Sequence, residues 1–261
     1  MKLNIYQIYA FTNKLFGGNP AAVVPLENWI DEKMMQQIAA ENNLSETAFF
    51  VKNNDIFEIR WFTPTVEIEL CGHATLASAY VIFNFLKYTN DIITFNCKVG
   101  ELVVRKEKNN FITLNFPSDI GQPTSINEVF NKIFNNDWIE VQEARTKYLV
   151  ELDSEEMVQN FIPDFDIIKQ LPKQLIITAK GNDVDFVSRF FAPNFGVNED
   201  PVTGSAHCVL VPYWANKLQK NELNAIQLSN RKGYLACKFL NDRIEMSGEA
   251  VCYLTGQIQI D

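Results

Sequence analysis

The sequence has no CxxC pair, and its five cysteines (Cys71, Cys97, Cys208, Cys237 and Cys252) are odd in number and widely spaced. That excludes a disulfide framework and the ligand spacing of a zinc knuckle, so no metal site is expected. Basic residues never gather into more than a short run, and the net charge is −9. A surface of that sign repels phosphate, so neither nucleic acid nor an anionic membrane is an expected partner. The GxSxG elbow of serine hydrolases, the GxGxxG dinucleotide fingerprint and the Walker sequence are all missing, which removes their chemistries. The opening residues, MKLNIYQIYAF, alternate like a strand and lack the apolar core of a signal peptide. The longest apolar stretch, Ala74 to Leu86, is interrupted by Thr75, Ser78 and Asn84 and is too short to span a bilayer. A soluble, cytoplasmic protein is expected.

Apolar residues make up 47% of the chain and charged residues 21%, which is ordinary for a globular protein and supplies a core without staples. A length of 261 residues fits one large domain or two of roughly 100–150 residues. Leu3 to Tyr9 alternates, FTNKLFGGNP supplies turn chemistry, and AAVVPL reads as a short buried strand. Asp31 caps a helix running to about Asn42, with Ile30, Met34 and Ile38 on one face. NNLSETAFFVK leads from a loop into a strand, and 57–62 is another. The stretch 74–86 is a helix apolar nearly all round, which marks it as buried. Strands at 92–96, 101–106 and 111–115 complete the first half.

From Pro117 the pattern starts again. QPTSINEVFNKIF reads as a helix, and YLVEL, QLIITAK and DVDFVSRFFAP read as strands. GVNEDPVTGSAHCVLVPYWANKL then gives a loop and a second apolar helix, with Pro212 inside it as a kink position. Strands at 226–228, 235–240 and 243–246 follow, and AVCYLTGQIQI closes the chain. Each half thus places strands before and after one buried helix entered through a glycine, CGHATLASAY and TGSAHCVLVPYW. The repetition suggests two pseudo-symmetric domains, 1–117 and 118–261, with the last strand a candidate to cross back to the first.

A helix start carries unpaired N–H groups and a partial positive charge. Gly72 and Gly204 leave room there for a ligand, so two such starts facing one cleft can hold a carboxylate without arginine. The same glycines serve equally as tight turns into core helices. Glu46, among Leu44, Ala48, Phe49 and Phe50, reads as a partly desolvated carboxylate tuned upward for acid/base work, or as a strand-edge residue facing water. His73 follows Gly72, where the dipole disfavours the charged ring; it reads as a neutral hydrogen-bonding imidazole or as a satisfied structural histidine. His207, the second of two histidines in the chain, also lies just inside a buried helix. Asp200 in NEDPVTGS is a second acid/base group or an Asx-type turn cap, and Ser205 is a cap or a ligand donor. Cys71 precedes the first glycine, where a helix start lowers a thiol's pKa, although buried cysteines are usually inert. A metal centre built from Cys71, His73, His207 and Cys208 would not match usual ligand spacings.

Taken together, FGGNPAAVV, NLSETAF, RWFTPTVEIELCGHATLASA and EDPVTGSAH resemble the signatures of the phenazine-biosynthesis isomerase-like family, related in fold to diaminopimelate epimerase. The resemblance runs through most of the chain and is weakest between about 122 and 174. It implies an α/β (α+β) fold of two pseudo-symmetric domains, each a strongly curved, mostly antiparallel sheet wrapped around a central buried helix. It further implies a site in the inter-domain cleft, no metal or organic cofactor, and a homodimer. The family's catalytic glutamate falls on Glu46, its glycine–histidine pair on Gly72 and His73, and its aspartate and serine on Asp200 and Ser205. In the type member these groups hold a dihydro-hydroxyanthranilate and shift a proton between carbons. By that scheme Glu46 takes the proton and returns it elsewhere while the helix starts hold the substrate carboxylate. The related epimerases use one thiol on each side of the substrate. Cys71 resembles the first, but the second half carries Asp200 in the facing position, and Cys208 lies about two turns farther along.

The expected activity is a cofactor-independent isomerisation of a small carboxylated substrate by general acid/base catalysis. Glu46, His73 and Asp200 carry the chemistry in this expectation, and Cys71, Gly72, Gly204 and Ser205 bind. The alternatives are an amino-acid epimerase of the diaminopimelate type and a non-catalytic small-ligand-binding protein. Fold does not choose among them, because function resides in the lining of the site.

Overall fold

The computed structural model describes residues 1–125 and 128–260. In chain order the elements begin with β1 (Lys2–Ala10), β2 (Asn19–Leu26), α1 (Glu32–Asn42), β3 (Glu46–Asn53), β4 (Ile56–Phe62) and β5 (Glu67–Ile68). Then come α2 (Gly72–Phe85), β6 (Ile92–Cys97), β7 (Gly100–Lys106), β8 (Ile112–Pro117), β9 (Gln122–Pro123), α3 (Glu128–Phe134), β10 (Glu140–Glu143) and β11 (Lys147–Glu151). The remainder comprises α4 (Glu155–Asn160), α5 (Phe165–Ile168), β12 (Gln174–Lys180), β13 (Phe186–Ala192), β14 (Val197–Glu199) and α6 (Gly204–Leu218). Last are β15 (Glu222–Gln227), β16 (Gly233–Phe239), β17 (Arg243–Gly248) and β18 (Ala250–Gln259). The chain divides into two compact units, Met1–Asn115 with Ser247–Asp261, and Phe116–Met246.

In the first unit β1 lies between β18 and β2, antiparallel to both. β2 and β3 are parallel, with Ala21 opposite Glu46. Helices cover this part of the sheet: α2 packs on β1, β2, β3, β7 and β18, and α1 packs on β3 and β4. Burial on both faces is why AAVV and TAFF are continuous buried runs instead of alternating ones. The α2 helix is buried from Gly72 to Ala79 and again from Val81 to Phe83, as its all-round apolar sequence requires. Asp31 caps α1 by accepting from the Lys33 N–H. The buried residues of α1 are Met35, Ile38 and Ala39, and Ile30 and Met34 of the expected face pack partly buried against the same cluster. Ile30 precedes the cap and stands outside the helical period.

The second unit repeats the pairing scheme strand for strand. β10–β11 antiparallel, β11–β12 parallel, β12–β13 antiparallel, β13–β15 parallel and β15–β16 antiparallel match β1–β2, β2–β3, β3–β4, β4–β6 and β6–β7. α6 stands where α2 does, and the short β14 on β13 matches β5 on β4. This is a sheet-dominated α+β architecture built twice. α6 runs unbroken through Pro212. A proline there cannot donate to the Cys208 carbonyl, which instead accepts from the Asp119 N–H at 2.9 Å.

β18 pairs with β1 from Lys2↔Gln259 to Ala10↔Ala250, so the last strand, the candidate to cross back, lies in the first unit with Ser247–Asp261. One expectation needs correction. The segment 122–134 is not one helix, because Gln122–Pro123 pairs with β10 and helix begins only at Glu128; Ile126 and Asn127 lie outside the described residues. α4 and α5 were not foreseen. Capped by Ser154 and Asp164, they cover a second cluster around Val158, Ile168, Leu171 and Phe191, and both are too short to display a helical period. No helix among the described residues is long and apolar enough to cross a membrane.

Candidate active site

The first unit gathers Glu46, Cys71, Gly72 and His73 at the start of α2. Glu46 opens β3 and Asn19 opens the parallel neighbour β2, so the two side chains arise at one end of adjacent strands. Glu46 Oε2 lies 3.0 Å from His73 Nε2, with side chains 14% and 4% exposed. On the other edge of the ring, His73 Nδ1 lies 3.1 Å from Asn19 Nδ2 and 3.5 Å from Cys71 Sγ. The Glu46–His73 approach is off the hydrogen-bond axis, since neither Oε2 nor Nε2 has an aligned hydrogen bond although both are buried. It is therefore an ion-pair contact whose two polar atoms keep a direction open for a third group.

Charge in this cluster departs from expectation. Burial alone lowers the His73 pKa, but the negative charges of Cys71 and Glu46 raise it well above its ordinary 6.5. Burial pushes the Cys71 thiol up to about 11, and Glu46 adds to the rise. Near neutrality the thiol keeps its proton, and Glu46 is the group beside Nε2 that also raises His73. At 3.0 Å and an effective dielectric of about 20, such an attraction is about 5 kcal/mol, against about 0.3–1 kcal/mol for a helix dipole. The neutral ring expected from the dipole is overruled, while the thiol behaves as a buried cysteine usually does and keeps its proton. An asparagine suits either state of the ring. Its N–H2 donates to a bare Nδ1, and a half-turn of the amide presents an oxygen to a protonated one.

In the second unit Asp200 is half-buried before α6. Its carboxylate accepts from the Thr203 hydroxyl, and its carbonyl accepts from Gln227 Nε2 at 2.7 Å. The buried Gln227 also accepts the Thr203 N–H at 2.8 Å. Gly204 is buried and Ser205 half-buried at the helix start. Counted from the two glycines, Cys71 corresponds to Thr203 and His73 to Ser205, so the second unit has no thiol at the matching place. Counted from the strand starts, Glu46 corresponds to Gln174. His207 is not the counterpart of His73. It is fully buried, donates Nδ1–H to the Thr203 carbonyl at 2.8 Å, and burial pulls its pKa down to about 4. Thr203, Gln227 and Asn19 were not singled out from the sequence. Asn19 alone had a usable signal, its place within FGGNPAAVV, where it reads first as turn chemistry.

A family model described as a phenazine biosynthesis-like protein matches residues 8–256. The chain is 44% identical over 261 residues to an uncharacterised isomerase of Pseudomonas aeruginosa, covering 100% of both. A crystal structure of a phenazine biosynthesis protein of the PhzF family from Enterococcus faecalis is similar at a TM-score of 0.96 and 41% identity, covering 100% of both chains. At 8% identity and a TM-score of 0.63, a hydroxyproline epimerase from Agrobacterium vitis, covering 98% of this chain and 92% of its own, shares the fold alone.

Proposed function

The chain belongs to the phenazine biosynthesis-like protein family, and from that membership we propose that it is an isomerase moving a proton on a small carboxylated substrate by general acid/base catalysis. The observation that carries this reading is the buried Glu46–His73 pair, whose Oε2 and Nε2 approach to 3.0 Å without aligned hydrogen bonds. The Glu46 carboxylate accepts a proton from a substrate carbon. The charge left behind is spread over the substrate and stabilised by the His73 N–H, and the Glu46 carboxyl returns the proton at a second carbon. Nothing is oxidised or reduced, so the scheme calls for no cofactor.

Binding of a carboxylate is supported by the helix starts. Cys71 makes no capping hydrogen bond on α2, and the Thr203 hydroxyl at the start of α6 is committed to Asp200. The backbone N–H groups following Gly72 are the donors of the first unit in this reading, and those following Gly204, with the Ser205 hydroxyl, are the donors of the second. Asp200 is the second acid/base group. The raised thiol of Cys71 makes it a wall of the site and not a base, which weighs against a two-thiol epimerase, as does Thr203 at the matching position.

A deuterium-exchange screen in D₂O over cyclic and linear amino and hydroxy acids tests the proposal. With the substrate so found, Glu46→Gln lowers turnover by on the order of 100-fold or more with an unchanged circular dichroism spectrum, while Cys71→Ser keeps most of it. Near-wild-type exchange in Glu46→Gln removes the glutamate from the mechanism, and a large loss in Cys71→Ser favours an epimerase. Ligand binding without exchange across the panel indicates a binding protein.

A further inference from the structure

One edge of the first unit is unguarded. β1 lies between β2 and β18, which leaves β18 as the outermost of the three. Along it Tyr253, Leu254, Thr255, Gly256 and Gln257 are exposed one after another. Successive side chains of a strand point to opposite faces, so an unbroken exposed run leaves both faces and the outer edge open. Sheets ordinarily protect such an edge with lysine, proline or a bulge, because its free N–H and C=O groups are a template for another strand. From Ala250 to Ile260 the sequence holds no charged residue and no proline. The register with β1 shifts once, between Gln7↔Leu254 and Ile8↔Cys252, and from Leu254 to Gln259 it runs without a further shift. At the shift Tyr253 stacks on Tyr9 with ring centroids 5.2 Å apart, and Phe16 stands edge-on to Tyr253 at 5.9 Å. Tyr9 is buried, but Phe16 is 66% exposed, Tyr253 46% and Leu254 43%. Phe16 carries its ring into solvent from a φ of 68°, which is costly for a bulky residue. Apolar side chains gathered in this way beside an open edge mark an interaction surface.

We infer that the segment from Leu254 to Gln259 pairs antiparallel with the same segment of a second copy of this chain, with Phe16 and Tyr253 of each copy covered in the contact. A strand repeated across a two-fold axis normal to the sheet runs antiparallel to its mate, so this edge is its own complement in direction, as a symmetric dimer requires. Charge also favours a second copy over a foreign strand. A chain of net charge −9 repels its like except where charge is missing, and β18 is such a place. A basic partner would be drawn to acidic side chains, which this strand does not offer. Backbone hydrogen bonds set the pairing, and Leu254, Thr255, Gln257 and Ile258 gain cross-strand neighbours. A specific dimer buries about 1,200–2,000 Å² in total, so the exposed ring cluster beside the edge belongs to the contact as well. The family resemblance implies a homodimer without saying which face forms it, and the open edge supplies that face. The pairing is independent of the isomerase chemistry.

Sedimentation equilibrium of the reduced protein across micromolar concentrations tests the assembly, and a dimer is expected. Thr255→Lys sets like charges against each other in the contact and raises the dimer dissociation constant at least about tenfold, with an unchanged circular dichroism spectrum. Gln257→Lys, at a second exposed position, does the same. Hydrogen exchange locates the contact: outward amides between Leu254 and Gln259 are protected in the unaltered protein and exchange fast in Thr255→Lys, while amides of β2 and β3 stay protected in both. A monomer throughout that range, a dimer that withstands both lysines, or a dimer whose β18 amides exchange as fast as those of the variant overturns the pairing.

Discussion

Asn19 is the residue whose role is most open to measurement. It is fully buried and touches Nδ1 of His73, the ring edge opposite Glu46. Removing it frees the ring to turn, and a misplacement of about 1 Å in a catalytic group costs on the order of 100-fold in rate. Asn19→Ala is expected to lower kcat by about 10–100-fold with KM little changed, while Asn19→Asp, which keeps an acceptor at Nδ1, recovers part of it. A KM effect alone would make Asn19 a substrate contact. The two histidines supply a second check, because they are displaced in opposite directions. The raised His73 contributes stability that is complete below pH 6.5 and fades as the pH climbs through its folded value. The depressed His207 contributes stability present above pH 6.5 and lost as the pH falls toward about 4. A two-dimensional ring-carbon spectrum should therefore hold one histidine charged past neutrality and the other uncharged down to about pH 4. Two ordinary midpoints would refute the charge assignment of the pair.

At the scale of elements, the turn between β1 and β2 is the strained part of the first unit. Phe11, Phe16 and Gly18 all have positive φ, at 61°, 68° and 61°, and bulky residues take that conformation only where the surroundings impose it. A Cβ on Gly18 would stand 2.2 Å from the Ala10 carbonyl oxygen, a backbone atom with nowhere to go. Asn19 is the next residue, so the strain bears on His73. Gly18→Ala should cost about 1–3 kcal/mol, a fall in Tm of roughly 3–10 °C, and a loss of kcat resembling that of Asn19→Ala. Unchanged Tm and kcat would show that the turn has another conformation available. This scale also shows what the sequence concealed. Long elements such as α2 and β13 announce themselves by length and apolar content. β5, β14 and α5 have two to four residues each, too few for any period to emerge.

For the whole molecule, chain order and spatial order part company at the C-terminus. β18 is the outer partner of β1 through its length, and Phe11 in the following turn lies 2.5 Å from where a Gly248 side chain would begin. Ending the chain at Met246 removes a full strand from the first unit and none of the contacts that define the second. At roughly 1 kcal/mol per net hydrogen bond, and with Ile8 and Tyr9 losing cover, the loss approaches the stability of about 5–15 kcal/mol that a domain possesses. The truncated chain should unfold in the first unit while amides of β12 and β13 stay protected from hydrogen exchange. Protection retained in β2 and β3 would mean that β18 is dispensable.

Local composition was enough to establish two glycine-started apolar helices and the repeat they belong to, while Glu46 and His73 were singled out from equal alternatives by the family resemblance. Each helix is written in a short window of chain: an all-round apolar run has to be buried, and a glycine before it opens a helix start. What tertiary structure alone decided is the company those residues keep. Asn19 against His73, the charge that Glu46 forces on a ring the helix dipole would leave neutral, and the return of β18 to β1 all depend on pairings between distant segments. Electrostatics act over a few ångströms of space and are blind to separation along the chain. No window of sequence contains that distance.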